Sequence, residues 1–547
     1  MNGADICKLR DALKSKRAPL ESHWDELSRM FMPFRMQTAA GIPDIPGADE
    51  VWESSPREAA MILANGLASL VTPREETWFE FAPPKALRDD NDAVSFYRKA
   101  SETAREALEG SNFYEEIQES YIESPVYGTC ALYLGDLDNR NRLHFRHQPV
   151  GTYFIGEDAN GRVNTFIREL ELTADQAVGE FGADKLPGEV RGKAGTPEGS
   201  TETACYVHCV RPRDEKGDTA AKPWQSWIIH EKTKAVVASS DAHEFPFAVH
   251  RYRRFGRCVY GFGPGSLALS DARQLQLLEQ LADVATEKSV FPPLIAPSSL
   301  EGEIGQGALE ITYVDSTDPN AAAMLREWAT SARYDVCLDR INAKRAQLQA
   351  HFHVNLFQLF AQRQDRQPLT ATVASLVAGE KMTQFSPVFG RLVSEMLDPV
   401  LQRVFGVLLR AGMLGLPPAS VTNAIGTNRT GVATPAVMYK NRIMLAMQQR
   451  ENQNLMDFMT IAQPVMAVYP EAMDALNLPI VVRQVARNNG LPEAWLRSPE
   501  EIAIIGEARA QQAQAAAQME MAEKAASAGQ KLSQIPAEMR ESAAGMF

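Results

Sequence analysis

Leu9, Leu13, Leu20, Trp24, Leu27 and Phe31 recur at steps of three, four or seven, which predicts an amphipathic helix that Pro33 ends. A second helix is expected to open at Ser54 or Ser55, with Pro56 in its first turn and Leu63, Leu67 and Leu70 or Val71 on one face. Two further helical stretches, Asp92 to Leu108 and Tyr114 to Tyr127, lead to Gly128. The period then changes to two in CALYLGD, LHFRHQP, CYVHCVRP and WQSWIIHE, with Gly, Asn and Asp turns between them, so a largely antiparallel sheet follows the helices. From Ala183 to Thr203 the composition turns to Gly, Pro, Glu and Thr, which reads as a solvated loop within the sheet region.

A sharper boundary falls at YGFGPGS, Tyr260 to Ser266, beyond which the pattern is mostly helical. Ser270 to Ser289 predicts one helix about 30 Å long, stopped by Pro292 and Pro293. A short segment, Leu294 to Val314, holds strand-like PLIAP and LEITYV, with Glu301, Glu303, Glu310, Asp315 and Asp318 in and beside it. A second long helix is expected from Asn320 to Ala350, with Leu325, Trp328, Ala332 and Val336 along one face. Gln349 to Leu369 mixes Phe352, Phe357 and Phe360 with polar and basic residues and reads as a loop or broken helix. From Thr370 to Met413 apolar doublets recur every four residues, from Val388-Phe389 to Leu408-Leu409. Each step advances the stripe by about 40°, so five steps wind it roughly 200° around the helix, and Pro387 and Pro399 are expected to kink it. Helical pieces continue to about Ala510, and the tail from Glu507 is an Ala/Gln/Glu-rich stretch that alone makes a marginal helix.

The chain has 547 residues, 45% hydrophobic and 23% charged, which excludes disorder throughout and allows three or four folding units. No apolar run reaches the roughly 20 residues of a membrane span; Val400 to Leu409 is cut by Gln402 and Arg403. Lys+Arg 56 against Asp+Glu 69 gives a net charge of -13. That balance argues against a protein that coats nucleic acid through a broad basic surface, though not against one that nucleic acid slides past. Six cysteines are scattered without a disulfide-like spacing, so a reducing compartment is expected. The first 17 residues lack the apolar core of a secretory signal, so the expectation is a protein that stays in the cytoplasm where it is made, without a membrane partner.

Candidate chemistry changes the picture little. Gly261, Gly263 and Gly265 lack the third glycine spacing and acidic partner of a dinucleotide fingerprint and read as a hinge turn. Arg191 to Gly195 lacks the remainder of a P-loop. Cys205 and Cys209 share one strand face while His208 points to the other, so core packing is favoured over a metal site. His144 and His147 likewise take opposite faces, and neither a nucleophile elbow nor an H-E-x-x-H pattern occurs. No catalytic, cofactor or metal residues are assigned. Lys344, Arg345, Arg363 and Arg366 gather around the aromatic stretch between the two longest helices, where they are either a solvated helix end or a loop that touches a phosphate backbone. Glu301, Glu303, Glu310, Asp315 and Asp318 are either plain surface or a docking site for a basic partner.

Four stretches, read in order, resemble the portal, or head-to-tail connector, proteins of short-tailed bacteriophages. They are Arg17-Ala18-Pro19 with Trp24, SSPREAAMILANGLASLVTPREETWFEF (Ser54 to Phe81), YGFGPGSLALSDARQLQLLEQ (Tyr260 to Gln280), and the run from Arg366 to Pro418. The similarity of pattern covers about Leu9 to Pro418, and the tail matches only in composition. The resemblance implies an α+β, mainly helical subunit. Residues 1–265 would be an α+β wing, 266–290 and 320–350 the two stem helices, and 291–319 a small α/β clip. Residues 351–369 would be a channel loop, 370–418 a long kinked helix, 419–506 a helical crown and 507–547 a C-terminal barrel helix. It further implies a ring of twelve copies at one capsid vertex of the virion, assembled in the host bacterial cytoplasm. Double-stranded DNA would pass through it without sequence readout during packaging and ejection. Its protein partners would be the large subunit of the terminase motor, tail adaptor and tail proteins, and scaffolding and major capsid proteins.

On this reading Lys344, Arg345, His351, His353, Arg363 and Arg366 are channel-lining candidates, and the five acids dock at the clip. Twelve chains at -13 carry a formal -156, which suits a conduit that does not hold its cargo. The winding stripe is expected to supply the two different apolar faces that a ring requires. Two other readings stay open: a helical scaffold or adaptor that binds only proteins, and an enzyme with a site assembled from scattered residues of 1–265.

Overall fold

In the computed structural model the described residues are 2–33, 36–37, 43–44, 51–88, 90–213, 222–290, 294–295, 326–327, 334–357, 386–422 and 432–440, with scattered helical residues between 455 and 524. They fall into two units, Met1–Met447 and Gln448–Phe547, the second described only by its helical residues.

The first unit opens with α1 (Gly3–Phe31), whose N-terminus is closed by the Asn2 side chain accepting from the Asp5 N–H at 2.9 Å. It runs through Pro19 and buries Trp24, Leu27 and Phe31. α2 (Ser55–Val71) starts with Pro56 and buries Leu63, Leu67, Leu70 and Val71. After β1 (Phe79–Ala82), Asp90 caps α3 (Asn91–Glu109) by accepting from two N–H groups, and α4 (Phe113–Tyr127) follows. α4 ends at Gly128, which is left-handed at φ +79°; a Cβ there would stand 2.3 Å from the Phe262 backbone.

Eight strands come next: β2 (Thr129–Leu134), β3 (Phe145–Gln148), β4 (Tyr153–Glu157), β5 (Val163–Thr173), β6 (Thr203–Pro212), β7 (Trp224–His230), β8 (Val236–Ala242) and β9 (Phe247–Arg251). They form a five-stranded antiparallel sheet ordered β8-β7-β6-β5-β4 and a three-stranded one ordered β9-β2-β3. Between β5 and β6, α5 (Ala174–Phe181) precedes the expected solvated loop, and the residues of that loop instead hold two short helices, α6 (Gly188–Lys193) and α7 (Pro197–Thr201). They fold because Phe181, Leu186 and Val190 bury against Tyr206 and Val237 of the sheet. The Gly and Pro content that suggests a loop marks their ends.

α8 (Pro264–Val290) and α9 (Tyr334–His351) are the next long helices. Leu294–Ile295 pairs antiparallel with Arg326–Glu327. The sequence pattern puts Arg326 and Glu327 in helix; pairing with the PLIAP strand overrides it there. Further on, residues 386–392 are helical, Val393–Leu397 form a wide π-type turn, and α10 (Asp398–Arg410) continues it. Apart from the half-buried Val393, the doublets from Val388-Phe389 to Leu408 are buried in the main core, with Phe405 against Phe81 and Tyr97. The stripe expected to serve neighbouring subunits is therefore spent inside this chain: its winding carries it from β9 to α3 and β1. β10 (Ala436–Tyr439) returns to pair with β1. Among the described residues no helix is long and apolar enough to cross a membrane.

Candidate functional site

α8 and α9 run antiparallel, since the Cys337 thiol meets the Leu278 carbonyl at 3.9 Å while Lys344 Nζ reaches Asp271 Oδ1 at 2.7 Å. Among its described side chains α9 buries only Ile341 and Leu348, two turns apart, so charged contacts fix much of the pair. His351 lies seven residues beyond Lys344 on the same face, and its Nε2 stands 3.4 Å from the other oxygen of Asp271. Arg345 reaches Glu279 at 2.7 Å and also Glu53, next to the start of α2. Burial opposes the Glu53 carboxylate, but Arg345 and Ser55 outweigh it and hold its pKa at about 2. Burial, and then Glu53 itself, push Glu279 up. The Gln276 side chain adds a staple, accepting from the Trp52 and Glu53 N–H groups at 2.8 and 3.0 Å and donating to the Glu53 carbonyl at 2.8 Å.

His353 follows the end of α9 in a left-handed conformation at φ +54°. It is half-buried, and burial, then Arg253 and His351, hold its imidazole below the ordinary range. Phe352 packs on Phe31 at 5.3 Å, and Phe357 lies so close to Gly66 that a Cβ there would fall 2.1 Å from the ring. Of the channel candidates, Lys344 and Arg345 are thus committed to carboxylates of their own chain, His351 shares Asp271, and His353 packs behind the helix end. Arg363, Arg366, Glu301, Glu303, Glu310, Asp315 and Asp318 lie outside the described residues.

A charged hub that sequence reasoning misses sits where β9 meets the long helix. Arg251, the last residue of β9, is buried; its backbone N–H donates to Glu395 Oε2 at 2.9 Å and its guanidinium to Glu395 Oε1 at 2.6 Å and Glu157 at 3.1 Å. Glu395 lies in the π-type turn, in which the Asp398 N–H reaches the Val393 carbonyl. Pro399 explains the widening: it has no N–H to return to the Glu395 carbonyl, and its ring would press on that carbonyl in a tighter turn. The one signal in the sequence is Arg-Tyr-Arg-Arg-Phe-Gly-Arg at residues 251–257, too dense in arginine for an ordinary loop.

Gly261, Gly263 and Gly265 form the turn into α8, and each stands against backbone: a Cβ would meet Gly128 O at 2.2 Å, Pro125 O at 2.1 Å and Val126 O at 2.7 Å respectively. Close approach of chain to chain is what requires glycine there. His208 has both ring nitrogens engaged, by Arg168 and Ser226 at 2.9 Å each, and among the described residues no group of His, Cys, Asp and Glu has a metal-binding arrangement. Ser120 Oγ lies 3.0 Å from His147 Nδ1, and His147 Nε2 lies 3.0 Å from Glu123 Oε1, an order that resembles a hydrolase triad. Ser120 and Glu123 are fully buried, and the serine hydroxyl also bonds to the Glu116 carbonyl, so the three tie α4 to β3 rather than meet a substrate.

Residues 4–496 match the family described as bacteriophage head to tail connecting protein. The chain belongs to this family. As a head-to-tail connector it is 27% identical over 535 residues to the portal protein of Salmonella phage epsilon15, covering 95% of this chain and 94% of that protein. It is 26% identical over 544 residues to the probable portal protein of Bordetella phage BPP-1, covering 96% and 94%. One surface of this connector then stands out. Leu267, Leu277, Leu281 and Val284 of α8 are exposed, at 49%, 54%, 52% and 39%. At about 100° per residue they fall within one arc of roughly 100°, turned away from the buried Ala268, Ala272, Leu275 and Ala282.

Proposed function

We propose that the chain is the subunit of a portal: a ring at one capsid vertex that conducts double-stranded DNA during packaging and ejection and docks the packaging motor and the tail. The observation that carries the ring is the exposed stripe on α8. An apolar row opposite the face that a helix buries in its own chain needs a second surface, and a neighbouring copy in a heterologous ring offers one. α8 and α9 are the stem, residues 291–319 the clip and 351–369 the channel loop, with twelve copies to the ring. In this reading Lys344 and Arg345 hold the stem together, which leaves His351, His353, Arg363 and Arg366 as the residues nearest the bore. Glu301, Glu303, Glu310, Asp315 and Asp318 meet the terminase large subunit and later the tail adaptor; scaffolding and major capsid proteins meet the wing. Residues 419–506 form the crown and 507–547 the barrel.

Negative-stain microscopy of the purified chain is expected to give rings with an open centre, and the double variant Leu277→Glu, Leu281→Glu is expected to stay folded but monomeric. Compact monomers of the unaltered chain, or rings in the double variant, would overturn the reading or the role of the stripe, respectively.

A further inference from the structure

The arginines of residues 251–257 do not all face inward. Arg251 and Arg254 do: both reach Glu157, at 3.1 and 2.9 Å, and both donate to the Gly161 carbonyl, at 2.8 and 3.4 Å. Gly161 belongs to the hairpin turn between β4 and β5, at φ +77°, where a Cβ would stand 2.7 Å from the Arg254 guanidinium. The turn is closed by Asp158, whose side chain accepts from the Asn160 and Arg162 N–H groups at 2.8 and 2.9 Å. On the other side the Tyr252 N–H donates to Gly128 O and the Phe262 N–H to Arg253 O, both at 2.8 Å. Hairpin turn and loop are thereby clamped into one body.

That body presents Arg162, Arg253 and Arg257 to solvent, and no described carboxylate pairs with any of them. Five arginines (162, 251, 253, 254, 257) stand against three acids (Glu157, Asp158, Glu395), a formal +2 on a chain of -13. All three acids are already engaged, so the surplus charge is outward. Arg253 is near enough to help depress His353, which directly precedes the 354–369 stretch. Apart from Phe255 the apex offers no large apolar side chain, so it lacks the more apolar buried core that distinguishes the middle of a protein interface from its rim. Guanidiniums spread over a fixed body suit a row of phosphates, read for position and not for sequence.

We propose that Arg162, Arg253 and Arg257 form a sequence-independent contact for the phosphate backbone of double-stranded DNA; this rests on the portal reading above. The test uses full-length protein, a labelled duplex of about 30 base pairs, and anisotropy titrations from low to moderate salt, with microscopy of the same samples. In the triple variant Arg162→Gln, Arg253→Gln, Arg257→Gln the slope of log affinity against log salt is expected to shrink by about 0.9 for each phosphate no longer neutralised, with binding at low salt about tenfold weaker whatever the duplex sequence. The matching Lys variants are expected to retain most of the binding. Gln-variant rings that bind DNA with unchanged affinity and slope overturn the inference and leave the portal reading intact. Loss of rings in the Gln variant, or in Phe255→Ala alone, overturns it in favour of a contact between copies. Failure of the unaltered chain to form rings counts against the portal reading itself.

Discussion

His250 is a buried imidazole in the middle of β9, its Nδ1 without a hydrogen-bond partner. Burial first, then Arg391 and Arg251 nearby, push it down to about 3 from 6.5. His208 is held well below its ordinary range by burial and by Arg168. An unfolded chain takes up a proton at each ring near pH 6.5, and the fold refuses it. The stability contributed by a neutral His250 is therefore complete above pH 6.5 and is lost as pH falls toward 3, by about 2 kcal/mol at pH 5. The expected outcome is a melting temperature that drops between about pH 7.5 and pH 5, and drops less in His250→Gln; equal drops in the two proteins would refute the assignment. Neither histidine is legible as an acid-sensitive group in the sequence. What fixes the titration is depth and the arginines around it, and a period of two says only which face of a strand a residue takes.

At the level of elements, helix existence is readable and helix purpose less so. Pro56 in the first turn places α2 where the sequence puts it, although Ser54 before it makes no cap bond to the helix backbone, and the steps of Leu and Trp locate α1. β4, β5, β8 and β9 escape the pattern, because burial against α1 and the second sheet lets VNTFIRELELT and FAVHR depart from strict alternation. The doublets of the long helix look like subunit contacts, since a sequence does not reveal which partner covers a stripe. Its wide turn is held from two directions, by Pro399 within the helix and by Arg251 across to β9. Arg251 keeps Glu157 and the Gly161 carbonyl when Glu395 is removed, so Glu395→Ala forfeits charge-assisted hydrogen bonds without stranding the arginine and is expected to cost about 2 kcal/mol in chemical denaturation, with Glu395→Gln in between. A cost near zero for the alanine would mean that the proline alone keeps the turn open.

Over the whole molecule, family membership is legible because the order of stretches survives where single motifs are weak. The charged interior of the first unit is not, since it joins residues as distant as Arg251 and Glu395 or Arg403 and Asp136. The first unit closes on itself: the Tyr97 hydroxyl donates to the Ala433 carbonyl at 2.7 Å, Tyr439 reaches Asp398 at 2.6 Å, and the Lys440 N–H meets the Trp78 carbonyl at 2.9 Å. A chain ending at Met447 is expected to keep the cooperative melting of this unit. One ending at Gly431 lacks β10 with these bonds and is expected to melt lower, both followed by circular dichroism. Equal melting of the two shortened chains would show that β10 adds nothing.

The glycine turn before α8 has a mechanical side. At Gly261, Gly263 and Gly265 backbone rests on backbone, with no side chain between that a rotamer change could shorten or lengthen. A push or twist at the far end of α8 therefore arrives at Gly128 and the start of β2 undamped. The joint behaves as a weld and not as a hinge, so motion along this path requires the helix and the sheet to move as one piece or the weld to break.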